Sequence, residues 1–308
     1  MSLAGMKYYF SKKGGWFFFL ASRGLLNWMP DKVYLKKAFR YNLGYELDLQ
    51  HPETFSEKLQ WLKIHDHNPL YTRLVDKYEV REYIAQIIGE EHLIPLVGGP
   101  WNGPEEIDFD ALPERFVLKC THDSGGLIIC RDKSLLNREA AKQKLAKCLR
   151  RNFYWSGREF PYRSVRPRII AEAYMEDDNG DLPDYKFFTF YGKVPCLFIA
   201  SERCTGTVRH DYYDAEFHHL PIFKGHPNAD SPPEKPHNFD EMIRLAELLG
   251  KDFPHVRVDF YSLRGKIFFG ELTFYTSSGL VPFDPPEWDL WLGSFLQLPQ
   301  RSRGDERS

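Results

Sequence analysis

The sequence lacks the features that would assign it quickly to several protein classes. No uncharged apolar run approaches the ~20 residues that a membrane-spanning helix needs; the aromatic stretch from Trp16 to Ser22 is bracketed by Lys12, Lys13 and Arg23. The five cysteines, Cys120, Cys130, Cys148, Cys196 and Cys204, are odd in number and show no CxxC spacing. That argues against a disulfide framework or a zinc site and favours reduced, buried thiols in a cytosolic protein. A formal net charge of -2 supplies no global basic field, which speaks against nucleic acid as a partner. His65-Asp66-His67 and His218-His219 have no third soft ligand nearby and read as solvated loop residues. There is no internal repeat, and the GxxxxGK[ST] order of a Walker loop is missing.

With 308 residues, 43% hydrophobic and 27% charged, the chain can bury a large core, and its length fits about two domains or one elaborate one. Up to Gly99 the pattern is helical. A short helix is expected from Trp16 to Met29, its aromatic face packed on the body of the protein; resting on an anionic bilayer is the other reading. Thr54 caps the segment from Phe55 to Lys63, with Glu57 completing a capping box, and apolar residues recur at helical spacing from Leu74 to Ile88. The breaker-rich Gly98-Gly99-Pro100-Trp101-Asn102-Gly103-Pro104 marks a boundary. Strand signals follow at 116–120, 127–130, 168–174, 185–191 and 194–200, with a Lys/Arg-rich helix over 137–151. Residues 223–238 read as a mobile surface loop, 240–249 as a helix closed by Gly250, and 301–308 as a disordered tail.

Three constellations could carry chemistry. Asp259 and Glu271 sit on opposite arms of an expected hairpin, 256–261 and 266–273, and share a face if the 262–265 turn gives even pairing. Two such carboxylates suit Mg²⁺, which takes carboxylates together with phosphate and water oxygens. Lys119 ends a strand just before Ser124-Gly125-Gly126, where glycines let backbone N–H groups approach an anion, a combination suited to phosphate. Lys186 alternates with aromatic residues on a largely buried strand and needs a partner: a phosphate, or a salt bridge to Glu172 or Asp184. Residues 169–176, running into Asn179-Gly180, suit a connector between two lobes whose backbone could meet an adenine edge.

The order of these features resembles the ATP-grasp superfamily. More closely, residues 30–293 resemble the TupA-like ATP-grasp family found with polysaccharide-biosynthesis genes. The resemblance is carried by Pro52-Glu53-Thr54-Phe55-Ser56-Glu57-Lys58-Leu59-Gln60-Trp61-Leu62-Lys63, Asp76-Lys77-Tyr78, Val80-Arg81-Glu82-Tyr83 and Leu112-Pro113-Glu114-Arg115-Phe116-Val117-Leu118-Lys119. It continues through Asp184-Tyr185-Lys186-Phe187-Phe188, Arg257-Val258-Asp259-Phe260-Tyr261 and Gly270-Glu271-Leu272-Thr273-Phe274. It implies an α+β fold of two lobes gripping a nucleotide, behind an N-terminal helical region: residues 1–99, a small lobe over 100–171 and a large lobe with the metal hairpin over 172–300.

Carried over, Lys119 would contact the α/β phosphates and Ser124, Gly125 and Gly126 would cover the triphosphate. Glu172, Ala173 and Tyr174 would line the adenine site, Lys186 would face the γ-phosphate, and Asp259 and Glu271 would hold Mg²⁺. Thr273 stands where the superfamily usually has asparagine and is a poorer ligand, which leaves a second metal open. The implied activity is ATP-dependent carboxylate–amine ligation in capsular or teichuronopeptide-type polysaccharide synthesis. Arg203 and Arg209 are candidates to grip the acceptor carboxylate, a sugar acid or amino acid. Peripheral contact with the inner membrane face, which the aromatic N-terminal helix raises, or with polysaccharide-assembly enzymes is a separate expectation. The rival readings are a glycosyltransferase using Asp108-Phe109-Asp110, and a noncatalytic nucleotide-binding component.

Overall fold

The helical periodicity of the first third resolves into α1 (Gly15–Ser22), α2 (Asp31–Leu43), α3 (Phe55–His65), α4 (Leu70–Val75) and α5 (Val80–Ile87) in the computed structural model. The structure describes residues 14–123, 125–177, 180, 182–202 and 207–300. Ser124, Asn179, Arg203, Cys204 and the tail 301–308 fall outside the described residues. The helix expected to reach Met29 stops at Ser22, because the chain tightens through Arg23 and turns at Gly24, whose φ is 73°. α3 begins with the expected reciprocal cap: Glu57 N–H donates to Thr54 Oγ1 at 3.2 Å and Thr54 N–H donates to Glu57 Oε2 at 3.1 Å.

The single helix expected over Leu74–Ile88 is two, α4 and α5. Asp76 leaves the helix for extended backbone, where its carboxylate accepts Tyr78 N–H at 2.8 Å and pairs with Arg168 at 2.8 Å. A carboxylate that satisfies nearby backbone donors competes with helix continuation. The break leaves Lys77 outside both helices.

Two antiparallel sheets follow. The first contains β1 (Leu96–Trp101), β2 (Phe116–Cys120), β3 (Leu127–Cys130) and β4 (Ile169–Ala173), in the order β1-β4-β2-β3. The segment read as a boundary at Gly98–Trp101 is therefore a strand. It tolerates its breakers because the register shifts on both sides of Gly98, and because a Cβ on Gly99 would lie 2.8 Å from Ile169 O, an approach open only to glycine. β1 and β4 run across the divisions expected at 99/100 and 171/172. Helix α6 (Arg138–Leu149) packs Ala141, Leu145 and Cys148 with Phe116 and Leu118 into a core of its own.

The short α7 (Tyr154–Gly157) precedes β4, and the second sheet holds β5 (Asp184–Phe190), β6 (Lys193–Ser201), β7 (Arg209–Asp214), β8 (His219–Leu220), β9 (Val256–Leu263) and β10 (Lys266–Thr273). Its order is β10-β9-β5-β6-β7-β8. β7 and β8 were not legible as strands, since Arg209-His210-Asp211-Tyr212-Tyr213-Asp214 lacks a clean apolar alternation. Helix α8 (Phe239–Gly250) covers one face, with Gly250 so close that a Cβ would lie 2.1 Å from Thr189 Oγ1. On the other face Phe55 of α3 meets Phe188 and His255, ring centroids 5.9 and 4.9 Å apart. α9 (Glu287–Phe295) clamps α3 from outside through Asp289, which accepts Ser56 N–H at 2.9 Å. The N-terminal helices thus share the core of the second sheet.

The segment 223–238 is not all surface. Lys224 is 3% exposed, its ammonium 3.5 Å above the Phe283 ring and without a hydrogen-bond acceptor among the described residues. Burial pushes its pKa down to about 7 against the pull of Asp289. An unfolded lysine titrates near ~10.4, so between about pH 7 and 10 the unfolded chain binds more protons and stability rises with pH. Lys224→Met is expected to abolish that rise. Urea midpoints of both proteins across this window check it: their difference should shrink steadily as pH increases.

Candidate functional site

One residue decides whether Asp259 and Glu271 face the same side. The hairpin turns through Arg264 and Gly265, both at positive φ (51° and 76°), and pairs Leu263 with Lys266 down to Phe260 with Phe269. Continued unchanged, that register would set Glu271 opposite Val258, on the face covered by α8. A bulge at Gly270 shifts the pairing by one and places Glu271 directly opposite Asp259. A Cβ on Gly270 would lie 3.1 Å from Asp259 O, so glycine suits this close approach.

The neighbouring strand β5 pairs Lys186 with Asp259. Asp184, Lys186, Arg257, Asp259, Glu271 and Thr273 therefore share one face. Arg257 Nε and Nη2 donate to the two Asp259 oxygens at 2.6 and 2.7 Å, and Nη2 also reaches Glu271 Oε1 and Thr273 Oγ1, both at 3.0 Å. Lys186 Nζ bridges Asp259 and Asp184, the latter at 2.7 Å. Of the two salt-bridge partners considered for Lys186, Asp184 is the one it meets; Glu172 belongs to Lys119. Burial works to raise the Glu271 pKa, but Lys77, Lys186, Arg257 and the Thr273 hydroxyl outweigh it and hold the carboxyl at about 2. Burial pushes Asp259 up against the opposing pull of Arg257 and Lys186. Burial likewise opposes the charge on Arg257, yet Asp259, Glu271 and Asp184 raise its pKa overall.

The donor set fits a hard divalent cation: two carboxylates and a hydroxyl on adjacent strands, with Glu271 two-fifths exposed while Asp259 is buried. Here Arg257 and Lys186 already balance Asp259, so burial of that carboxylate does not itself demand a metal. Arg257 was not singled out from sequence, although Arg257-x-Asp259 at strand spacing was its signal.

Across from this hairpin, β2, β3 and β4 and the chain after β4 wall a cavity of about 310 Å³. It brings together Lys119, Glu172, Ala173 and Tyr174, with Val117 and Ile129 from the first sheet and Tyr261 from the second. Lys119 Nζ forms an ion pair with Glu172, a diagonal cross-strand contact, and Arg81 approaches the same carboxylate at 3.8 Å.

The glycine turn differs from expectation. Gly125 N–H and Gly126 N–H both donate to Asp123 Oδ1, at 3.0 and 2.8 Å, so the two amides are engaged by their own chain. Gly126 is required for packing, since a Cβ there would lie 2.6 Å from Cys120 Sγ. Lys77 brings positive charge to this turn, its Nζ donating to Asp123 O at 2.8 Å. Nothing in the sequence pattern assigned Lys77 a role; its position follows from the α4–α5 break.

Arg209 does not join the cluster. Register places it beside Ser201, on the opposite face of the sheet from Lys186, with Glu202 at 3.6 Å and Asp230 at 4.0 Å. Asp108-Phe109-Asp110 is a structural turn: Asp108 Oδ1 accepts Asp110 N–H at 3.0 Å, Asp110 pairs with Arg138 at 2.6 Å, and Phe109 is buried. Both carboxylates are exposed at the surface, each with one oxygen engaged.

Beyond β10 the chain enters Thr276–Gly279, where Ser277 (φ 50°), Ser278 (φ 56°) and Gly279 (φ 59°) are consecutively left-handed. α3 holds this strained turn. Gln60 Nε2 donates to Ser278 O and Gly279 O, both at 3.0 Å, and Lys63 Nζ donates to Ser278 O and Oγ at 2.7 and 2.8 Å. The polar residues of the Thr54–Lys63 motif thus brace the loop that follows the acidic hairpin. Left-handed backbone at non-glycine residues persists only where surroundings over-determine it.

Two antiparallel sheets with separate cores, a cavity bounded by both, and a charged hairpin beside it define an ATP-grasp fold. The chain belongs to the TupA-like ATP-grasp family, whose profile matches residues 57–297. It is similar in structure to D-alanine–D-alanine ligase from Helicobacter pylori, with 12% identity and a TM-score of 0.46, covering 79% of this chain and 69% of that one. It is also similar to an L-amino acid ligase from Bacillus licheniformis, with 12% identity and a TM-score of 0.44, covering 82% of this chain and 57% of that one. D-alanine–D-alanine ligase from Bacillus anthracis shares 16% identity at a TM-score of 0.38, with 66% and 57% covered. No curated protein sequence matches the chain.

The buried network predicts non-additive energetics. Arg257→Met leaves Asp259 with Lys186 alone and is expected to cost about 3–5 kcal/mol, the range for removing one partner of a buried pair. Adding Asp259→Asn should recover part of that loss. Urea unfolding of the two single variants and the double variant measures the coupling; strict additivity would contradict the network.

Proposed function

We propose that the protein is an ATP- and Mg²⁺-dependent carboxylate–amine ligase. The observation that carries this reading is the face shared by Lys186, Arg257, Asp259, Glu271 and Thr273, set beside the cavity that contains Lys119 and Glu172–Tyr174. Adenine occupies the apolar cavity between Val117, Ile129 and Tyr261, with its edge against the backbone of residues 172–174. Lys119 and Lys77 meet the phosphates, and Lys186 exchanges its carboxylate partner for the γ-phosphate. Asp259 and Glu271 hold Mg²⁺, with Thr273 a weaker ligand; the ion would neutralise phosphate oxygens as charge shifts during transfer.

The acceptor carboxylate attacks the γ-phosphorus, ADP leaves, and an acyl phosphate results. An amine then attacks the acyl carbon, releasing phosphate, losing a proton and leaving an amide. This chain contributes fixed charge and placement: Arg257 is anchored by Asp259 and keeps one Nη directed at Glu271 and Thr273, and a preorganised cation of this kind is worth most where water is excluded. With Arg209 on the other face, Arg150 and Arg151 are better suited to the acceptor. They line a groove of about 1080 Å³ together with Phe18, Tyr41 and Trp155. Arg151 Nη1 lies 3.9 Å from the Cβ position of Gly125, at the triphosphate end. Aromatic and guanidinium walls suit a sugar acid, in keeping with a role in cell-surface polysaccharide synthesis.

Sustained ADP release should require both a carboxylate and an amine, the carboxylate alone giving no more than one ADP per enzyme. Lys186→Met should lower turnover on the order of 10²–10³-fold, and Asp259→Asn and Glu271→Gln should abolish it while circular dichroism stays native. ATP binding without turnover against a panel of sugar acids and amino acids would instead support the noncatalytic reading. Sugar-nucleotide turnover lost in Asp108→Asn would support the glycosyltransferase.

A further inference from the structure

Charge is distributed very unevenly along the chain. Residues 1–43 carry eight Lys and Arg against Asp31 alone, while the whole chain is -2. Asp31 is not available to offset those cations at the surface, because Arg158 pairs with its Oδ1 at 3.0 Å and Tyr154 donates to its Oδ2 at 2.5 Å. Arg158, 2% exposed, also donates to Leu26 O at 2.8 Å. The N-terminal segment is therefore clamped to the body.

The apolar residues of this segment divide in two. Phe17, Phe18, Leu20 and Ala21 pack against the core, with Phe17 5.1 Å from the Tyr34 ring and 5.5 Å from the Tyr41 ring, as expected for a helix docked on its own protein. Trp16, Leu25, Trp28 and Val33 face outward, exposed by 65, 58, 76 and 44%. Arg23, Lys32, Lys36 and Lys37, interleaved with them along the sequence, are exposed as well. Indole rings and leucine interleaved with cations, over a buried aromatic layer, are the composition of an interfacial segment. No helix among the described residues is long and apolar enough to cross a membrane.

We propose that this face docks the protein onto an anionic phospholipid surface, with Trp28 and Leu25 entering the headgroup region and Lys32, Lys36 and Lys37 meeting lipid phosphates. Charge complementarity selects this occupant over a second copy of the chain, since two such faces would set like charges against each other. Gly24, Asn27 and Tyr34 also line the groove that contains Arg150 and Arg151. Docking brings that groove beside the lipid surface.

The test uses the full chain and no nucleotide, so it stands or falls separately from the ligase reading. Co-sedimentation with vesicles of phosphatidylcholine plus phosphatidylglycerol is expected to retain the protein at low salt, and vesicles of phosphatidylcholine alone should not. Combined Lys32→Gln, Lys36→Gln and Lys37→Gln should weaken binding by roughly fivefold per lysine, and Leu25→Ser with Trp28→Ser should weaken it without removing the salt dependence. Absence of binding to anionic vesicles overturns the proposal, as does binding that both sets of variants leave unchanged. Light scattering that shows a dimer dissociated by Trp28→Ser would assign the face to a second copy instead.

Discussion

Asp184, Asp259 and Glu271 share one face of an antiparallel sheet, and an isolated ionised carboxylate in such a place costs several kcal/mol. Arg257 and Lys186 remove that cost by direct contact, Arg257 through a bidentate pair with Asp259 and Lys186 by bridging Asp259 to Asp184. Everything else in the large sheet accommodates this network. The Gly270 bulge brings Glu271 to the correct face, the pairing of β5 with β9 brings Lys186, and Thr273 completes the coordination of Arg257. A network satisfied in this way is stiff, and its exposed edge at Glu271 is where an outside cation or phosphate can exchange for an internal partner.

The N-terminal helices have a clear mechanical relation to that face. α3 inserts Phe55 beneath the sheet, α9 holds α3 from outside, and Gln60 and Lys63 brace the left-handed turn at Ser277–Gly279. The α4–α5 break delivers Lys77 to the turn after β2. These helices share the core of the second sheet, which accounts for a buried lysine and glutamine in a helix that composition alone would leave half solvated. Burial pushes the Lys63 pKa down to about 8, partly offset by Glu159.

Long, strongly periodic or chemically marked segments were readable in one dimension. The capped helix at Thr54, the strands at 116–120 and 127–130, and the acidic hairpin all follow from local rules of capping, alternation and turn chemistry. Segments whose conformation depends on a distant partner were not. Gly98–Trp101 is a strand only because β4 accepts glycine at close range, and β7 is a strand only because β6 offers a ladder, as β7 in turn does for β8. Leu74–Ile88 breaks because Asp76 finds Arg168, ninety-two positions away.

The same division runs through the site. Residue order alone carried the fold family, through several motifs spread along the chain, and put Asp259 and Glu271 on the two arms of one hairpin; that they face the same side came from the bulge at Gly270. Only the tertiary structure decided which charges meet. It gave Glu172 to Lys119 and Asp259 to Arg257 and Lys186, engaged the glycine amides with Asp123, sent Arg209 to the far face, and brought Lys77 to the turn after β2 and Arg150 and Arg151 into the groove beside α1. Coulomb interactions fall off with distance and depend on burial, and neither quantity exists until the chain has folded.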